Sequence, residues 1–311
     1  MSLKIAVTGG TGFLGQYVVE SIKNDGNTPI ILTRSIGNKA INDYEYRVSD
    51  YTLEDLINQL NDVDAVVHLA ATRGSQGKIS EFHDNEILTQ NLYDACYENN
   101  ISNIVYASTI SAYSDETSLP WNEKELPLPD LMYGVSKLAC EHIGNIYSRK
   151  KGLCIKNLRF AHLYGFNEKN NYMINRFFRQ AFHGEQLTLH ANSVAKREFL
   201  YAKDAAKSVI YALKQEKVSG TFNIGSGDAL TNYEVANTIN NAFGNKDNLL
   251  VKNPNANEGI HSSYMDSSKA KELLDFSTDY NFATAVEEIH LLMRGLDDVP
   301  LWYEGHHHHH H

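Results

Sequence analysis

Tyr133 and Lys137 stand four residues apart, and in a helix that spacing places a phenol and an ammonium on one face, about 6 Å apart along the axis. A phenol alone is barely ionised at neutral pH, and a neighbouring cation favours the phenolate. Such a pair can take a proton from an alcohol. Upstream, the chain runs Lys4-Ile-Ala-Val-Thr8 and then Gly9-Gly10-Thr11-Gly12-Phe13-Leu14-Gly15. Glycines 9, 12 and 15 lie between a strand pattern and a helix pattern, a context that suits a pyrophosphate. The first permits a tight turn, the second lets backbone amides approach the phosphates, and the third allows close helix–strand packing. The helix N-terminus adds partial positive charge. A dinucleotide and an ionisable phenol are together what hydride transfer at an alcohol requires.

These two segments need a scaffold, and the apolar pattern supplies one. Strand-like runs cover Lys4–Thr8, Pro29–Thr33, Asp64–Leu69, Ile101–Ala107 and Cys154–Arg159. Amphipathic helical stretches lie between them at Gly12–Asn24, Leu53–Leu60, Ser80–Glu98 and Leu131–Lys150. The alternation predicts βαβ units around a parallel sheet covered on both faces. Beyond Gly165 the pieces are less regular. Helical spacing covers Met173–Phe182, Asp204–Lys214 and Asn232–Ala242; short strands cover Gln186–His190, Glu198–Tyr201 and Thr221–Ile224; a further segment lies at Ser267–Leu274. The expected fold is α/β. Residues 1–164 with about 202–220 form a Rossmann-like, doubly wound parallel sheet, and 165–201 with 221–304 form a smaller α/β lobe.

Composition narrows the partners. The closing Gly305-His306 to His311 run of the 311 residues reads as a purification tag over 305–311. Hydrophobic residues at 42% and charged residues at 21% are ordinary for a globular chain. No apolar run approaches the ~20 residues needed to cross a bilayer, and no basic-then-apolar leader opens the sequence, so a cytoplasmic protein is expected. A formal charge of −10 argues against nucleic acid. Cys96, Cys140 and Cys154 show no ligand spacing, and six of the fourteen histidines belong to the tag. Neither a disulfide frame nor a metal site is expected.

The motifs occur in a definite order: Thr8-Gly-Gly-Thr-Gly-Phe-Leu-Gly15, His68-Leu69-Ala70-Ala71, Ser108-Thr109 with Tyr113, and Tyr133-x-x-x-Lys137. That series resembles the extended short-chain dehydrogenase/reductase family, and within it the nucleotide-sugar epimerases and dehydratases, over nearly the whole untagged chain. The resemblance implies bound NAD held by Gly9, Gly12, Phe13, Leu14 and Gly15. Asp50 would reach the adenine, while Asn85 and Leu69, Ala70 and Ala71 would line the cofactor path. It implies Tyr133 as acid–base, Thr109 on the same substrate oxygen, and Lys137 on the nicotinamide ribose.

Where the sequence departs from the family, it separates reactions. NAD-using relatives carry an Asp at the end of the second strand; here Thr33 and Arg34 stand there. Arg34 could pair with a 2′-phosphate, which keeps NADP open beside NAD. Dehydratases carry acids beside the Thr109 position to drive water loss, whereas this chain reads Thr109-Ile110-Ser111. Epimerisation needs no such acid.

On the substrate side, the resemblance implies a UDP-sugar. Arg197 would grip the diphosphate bidentately, and Leu189 and His190 would flank the uracil. His162 replaces a usual Asn in Arg159-Phe-Ala-His162-Leu-Tyr-Gly165, and a second arginine expected before Ser262 is missing. Ser263 falls where relatives have a gatekeeper against the C2 substituent, and a residue this small admits an N-acetyl group. Arg73 and Ser111 are further candidates facing the sugar.

The expected activity is therefore UDP-sugar 4-epimerisation that accepts UDP-N-acetylglucosamine, and the resemblance implies a homodimer formed through the Ser80–Glu98 and Leu131–Lys150 helices. An NADPH-dependent reductase of a 4-keto sugar and a non-catalytic dinucleotide sensor stand as the alternatives.

Overall fold

The computed structural model describes residues 1–36, 44–72 and 74–297. Arg73 and the histidine run lie outside them. A seven-stranded sheet runs in the order β3 (Glu45–Val48), β2 (Thr28–Thr33), β1 (Lys4–Thr8), β4 (Ala65–His68), β5 (Asn103–Thr109), β6 (Cys154–Phe160) and β10 (Gly220–Ile224). Every neighbouring pair in it is parallel. Strands buried on both faces must be apolar on both, and alternate residues accordingly feed two cores. Ile5, Val7, Val67 and Val105 join α1 (Phe13–Asn24) and α6 (Ala202–Lys214) on one face. Ala6, Val66 and Ile104 join α2 (Leu53–Gln59), α3 (His83–Glu98) and α4 (Met132–Lys151) on the other. This is the doubly wound, Rossmann-like arrangement expected from the alternation.

The strand ends matter most for the site. β5 runs two residues past the expected stop at Ala107, so Ser108 and Thr109 are buried at its C-terminal tip. Edge strand β3 was not expected. Its Glu-Tyr-Arg-Val run is half polar, as an edge facing solvent permits.

A smaller assembly covers the C-terminal ends of the strands. β9 (Arg197–Tyr201) pairs in parallel with β7 (His162–Tyr164) and antiparallel with β11 (Ala229–Leu230), while β8 (Leu187–Leu189) pairs with β12 (Leu249–Val251). Helices α5 (Met173–Phe182), α7 (Asn232–Ala242) and α9 (Phe282–Met293) close an aromatic core with Tyr164, Phe199 and Tyr201. Helix α9 had not been expected, although Phe282, Ala285, Val286, Ile289 and Met293 follow helical spacing.

α8 (Ser268–Leu274) packs on β10. The expected start of the lobe at 221 thus falls inside a strand of the large sheet. Two isolated bridges, Trp121 with Met265 and Arg197 with Ser263, bring the returning chain back across the strand ends.

Candidate active site

The cradle is built from backbone. Gly9 has φ +69°, and a Cβ there would stand 2.8 Å from the Ala70 nitrogen. A Cβ on Gly15 would overlap the Gly9 carbonyl oxygen. Helix α1 starts with no side-chain cap and no acidic residue in its first turn. Its first amides therefore remain available to an anion. These features fit a dinucleotide pyrophosphate and leave no room for a larger residue.

Facing the cradle is the turn after β4, fixed by a directed hydrogen-bond chain. Thr8 Oγ1 accepts from Leu69 N and Ala70 N at 3.0 Å each, so its own hydrogen goes to His68 Nδ1 at 2.7 Å. Nε2 must then carry the imidazole proton and donate to Thr89 Oγ1 at 2.9 Å. Thr89 donates onward to the Asn85 carbonyl at 2.7 Å, and Asn85 Oδ1 receives Thr72 N at 3.0 Å. Burial, aided by the Lys137 charge, lowers His68 to about 3.

A cavity of about 630 Å³ runs from this cradle to the tip of β5, a size suited to a cofactor. Gly9, Gly12, Phe13, Leu14, Gly15, Thr33, Arg34, Leu69, Ala70, Ala71, Asn85, Thr109, Tyr133 and Lys137 all line it. Lys137 is 4% exposed. Its Nζ donates to the Ala107 carbonyl at 2.8 Å and lies 5.7 Å from the Tyr133 ring centroid. Thr109 Oγ1 receives Ser111 N at 3.0 Å.

Asp50 is not brought in. Its exposed carboxylate accepts from Thr52 N and Thr52 Oγ1 at the start of α2, bonds that hold it below the ordinary carboxylate range. Tyr51, at φ +61°, lines the cavity instead. The Arg34 guanidinium lies 5.1 Å from the Tyr51 ring centroid. Thr72, Glu168, Asn170 and Tyr172 also line this cavity and had not been singled out. The last three sit just past the Tyr164-Gly165 motif, which was the available signal.

A second cavity of about 190 Å³ adjoins it, lined by Ser111, His162, Arg197 and Ser263 among others. The two share a wall, because Thr109, Tyr133 and Ala161 face the first while Ser111, Leu131 and His162 face the second. His162 Nε2 and Ser263 Oγ are 2.8 Å apart. Burial and the nearby Arg197 lower His162 to about 3. Arg197 Nη2 donates to Asn232 Oδ1 at 3.0 Å, while its Nε is buried with no hydrogen-bond partner. Burial lowers it to about 10, against the opposing pull of Glu258. A buried guanidinium with a spare donor invites an anion.

Leu189 and His190 line neither cavity. The pairing of β8 with β12 turns Leu189 into the aromatic core of the lobe, and His190 is exposed. Arg73 lies outside the described residues. Sequence reading also missed Glu198, which is 1% exposed. Its carboxylate receives Met265 N at 2.8 Å and Ser226 N and Gly227 N at 2.9 Å each. It thereby ties the segment carrying Ser263 to β9. Among the described residues, no cluster of three or more metal-ligating side chains occurs, and no helix is long and apolar enough to cross a membrane.

Both depressed histidines make stability depend on pH. An unfolded histidine takes up a proton below about 6.5, while His68 and His162 stay neutral in the fold down to about 3. The unfolded state then binds more protons, so stability falls as pH drops through that window. Thermal melting is expected to show a lower Tm at pH 5 than at pH 7. The drop should be smaller in His162→Asn; an equal drop in the variant would deny His162 this part.

Residues 5–225 match the NAD dependent epimerase/dehydratase family. The chain belongs to that family. Among solved structures, the UDP-N-acetylglucosamine 4-epimerase from Bacillus cereus is 95% identical, covering 97% of this chain and 100% of its own, with a TM-score of 0.91. The UDP-N-acetylglucosamine 4-epimerase from Methanobrevibacter ruminantium M1, in complex with UDP-N-acetylmuramic acid, is 25% identical, covering 93% and 97%, with a TM-score of 0.82. Among curated proteins, the uncharacterized UDP-glucose epimerase YtcB of Bacillus subtilis (strain 168) is 29% identical over 294 residues, 88% of this chain and 92% of its own. Membership in an epimerase/dehydratase family makes the chain an enzyme and rules out the bare dinucleotide sensor.

Proposed function

We propose that this epimerase/dehydratase family member is a UDP-sugar 4-epimerase that interconverts UDP-N-acetylglucosamine and UDP-N-acetylgalactosamine with bound NAD. The observation that carries the reading is the convergence of Thr109, Tyr133 and Lys137 with the glycine cradle on one cavity, next to a Thr109-Ile110-Ser111 loop with no carboxylate. The 95% identity to the Bacillus cereus epimerase supports it.

In this reading the glycine turn and the first amides of α1 hold the pyrophosphate, and Lys137 holds the nicotinamide ribose. NAD supplies a reversible hydride acceptor. Tyr133 takes the proton of the C4 hydroxyl and later returns it, with Thr109 bonded to the same oxygen. Arg197 anchors the diphosphate while the 4-keto sugar turns over, so hydride would return to the other face of C4 and Tyr133 gives its proton back to the C4 oxygen. No net redox occurs. The NADPH reductase reading, whose main support was Arg34, loses ground to the 95% identity with an epimerase.

We also read the enzyme as a homodimer, supported by outward-facing Ile87, Val135 and Ile146 on α3 and α4. A cytoplasmic setting agrees with the free thiols of Cys96, Cys140 and Cys154. Light scattering of the eluting protein tests the dimer.

Incubation with UDP-N-acetylglucosamine should yield UDP-N-acetylgalactosamine. Turnover of neither this pair nor the unacetylated pair would reject the proposal. Ser263 is small and its backbone is pinned, with Ser263 N donating to Lys196 O and Glu198 N to Ser263 O at 2.9 Å each. Ser263→Tyr should fill the space beside the sugar. It is expected to lower kcat/KM for the acetylated substrate by at least about 10²-fold while sparing the unacetylated one. Equal losses on both would show that Ser263 does not face the C2 substituent.

A further inference from the structure

Helix α4 carries more than Tyr133 and Lys137 on its inner face. Glu141 follows at the same four-residue step, so Tyr133, Lys137 and Glu141 form one stripe, each about 6 Å along the axis from the last. This stripe meets three consecutive residues of β5. Lys137 Nζ binds the Ala107 carbonyl at 2.8 Å, the Ser108 hydroxyl donates to Glu141 Oε2, and Thr109 comes next. Glu141 is 1% exposed.

Its charge is taken up from the neighbouring strand. Arg159 Nε and Nη2 grip Glu141 Oε2 and Oε1 at 2.9 and 2.7 Å, the bidentate geometry that gives direction as well as energy. Arg159 is the cross-strand partner of Ser108 on β5 and of Asn223 on β10. Its Nη1 reaches Tyr113 Oη at 2.7 Å, and Tyr113 donates to Asn223 Oδ1 at 2.7 Å. One row of polar residues across three strands thus receives a single carboxylate from the helix above. At the other end of the stripe, Gly134 presses so close to the Ser111 carbonyl that no Cβ would fit.

We propose that Glu141 is a positioning residue for the reaction: bound to Ser108 and Arg159, it sets the register of α4 on β5 and so keeps Tyr133 opposite Thr109. Because Arg159 engages both carboxylate oxygens, Glu141 does not compete for the Lys137 ammonium, which stays directed at β5 and the cavity. The inference rests on the epimerase reading for its kinetic consequence, while the clamp itself concerns only the chain. A misplacement of about 1 Å at a reacting group costs on the order of 10²-fold in rate.

The test uses full-length Glu141→Gln and Ser108→Ala. Expected is a kcat for 4-epimerisation lowered roughly 10- to 100-fold in Glu141→Gln and about threefold or more in Ser108→Ala. In Glu141→Gln, KM for the UDP-sugar and the NAD content per chain should stay within about twofold, since Glu141 lines neither cavity. Amide hydrogen exchange over Met132–Lys137 should quicken in both variants, without added cofactor or substrate. Folded variants with unchanged kcat would overturn the proposal, as would a rise in KM that accounts for the whole loss. If Glu141→Gln fails to fold, Ser108→Ala decides by its exchange over Met132–Lys137, unchanged rates overturning the proposal. If the wild type turns over no UDP-sugar, the functional reading fails, and exchange over Met132–Lys137 still judges the clamp: unchanged rates would refute it.

Discussion

Tyr133→Phe is expected to keep the fold, the bound cofactor and the affinity for UDP-sugar, yet to lower kcat by roughly 10²- to 10⁴-fold, the usual worth of a positioned proton acceptor. The substitution removes one oxygen and leaves the ring. That ring packs 6.3 Å from Phe82 between centroids, with the Lys137 ammonium at 5.7 Å, and both contacts survive in phenylalanine. A matching fall in kcat and kcat/KM, with melting temperature unchanged, is the signature of an interaction made only as the proton moves. A loss smaller than about tenfold would mean that another group takes the proton. Thr109, whose hydroxyl lines the same cavity, would be the first to examine.

Arg159→Met carries the largest expected effect on stability. The change keeps most of the side chain's length and removes the cation, so the 1%-exposed Glu141 is left buried without its ion pair. Breaking a buried pair from one side costs about 3–5 kcal/mol, more than the strain of the swap itself. Chemical denaturation of the single variant and of Arg159→Met with Glu141→Met should show strong non-additivity, the double variant recovering much of the loss. Additive losses would show that the ion pair is not the coupled unit described above.

How much of this was open to sequence reading depends on the range of the signal. Alternating apolar runs register burial on two sheet faces, so β1, β2, β4, β5, β6, α1 to α4 and the glycine cradle were legible, whereas edge strand β3 and the place of β10 in the large sheet were not. The same patterns do not mark where a strand stops. The Ile101–Ala107 run stops at its last apolar residue, whereas partners on α4 and in the following turn let polar Ser108 and Thr109 finish the strand. Asp50 stays off the cavity for a local reason: its carboxylate is spent on Thr52, and Tyr51, with its unusual backbone, lines the cavity. Leu189 lines neither cavity, and β12, the strand that sets its facing, had not been foreseen.

Glu141 and Glu198 carried no signal at all. A charged residue in an amphipathic stretch or a short strand reads as solvent-facing, and only the tertiary fold brings Arg159 to the one and three backbone amides to the other. Ser263 and Arg197 were found through motif likeness. That Arg197 belongs to a strand, bridged to Ser263 itself, became visible only in three dimensions.

The bridge between Trp121 and Met265 imposes an order on biosynthesis. Trp121 N donates to Tyr264 O at 3.1 Å, and Asp266 N donates back to Trp121 O at 2.8 Å. A nascent polypeptide possesses every strand of the large sheet once Ile224 has left the ribosome, while the wall formed by Ile260 to Ser263 has yet to emerge. Every residue lining the first cavity therefore precedes β10 in the chain, and the second cavity gains its last wall only when the C-terminal segment returns.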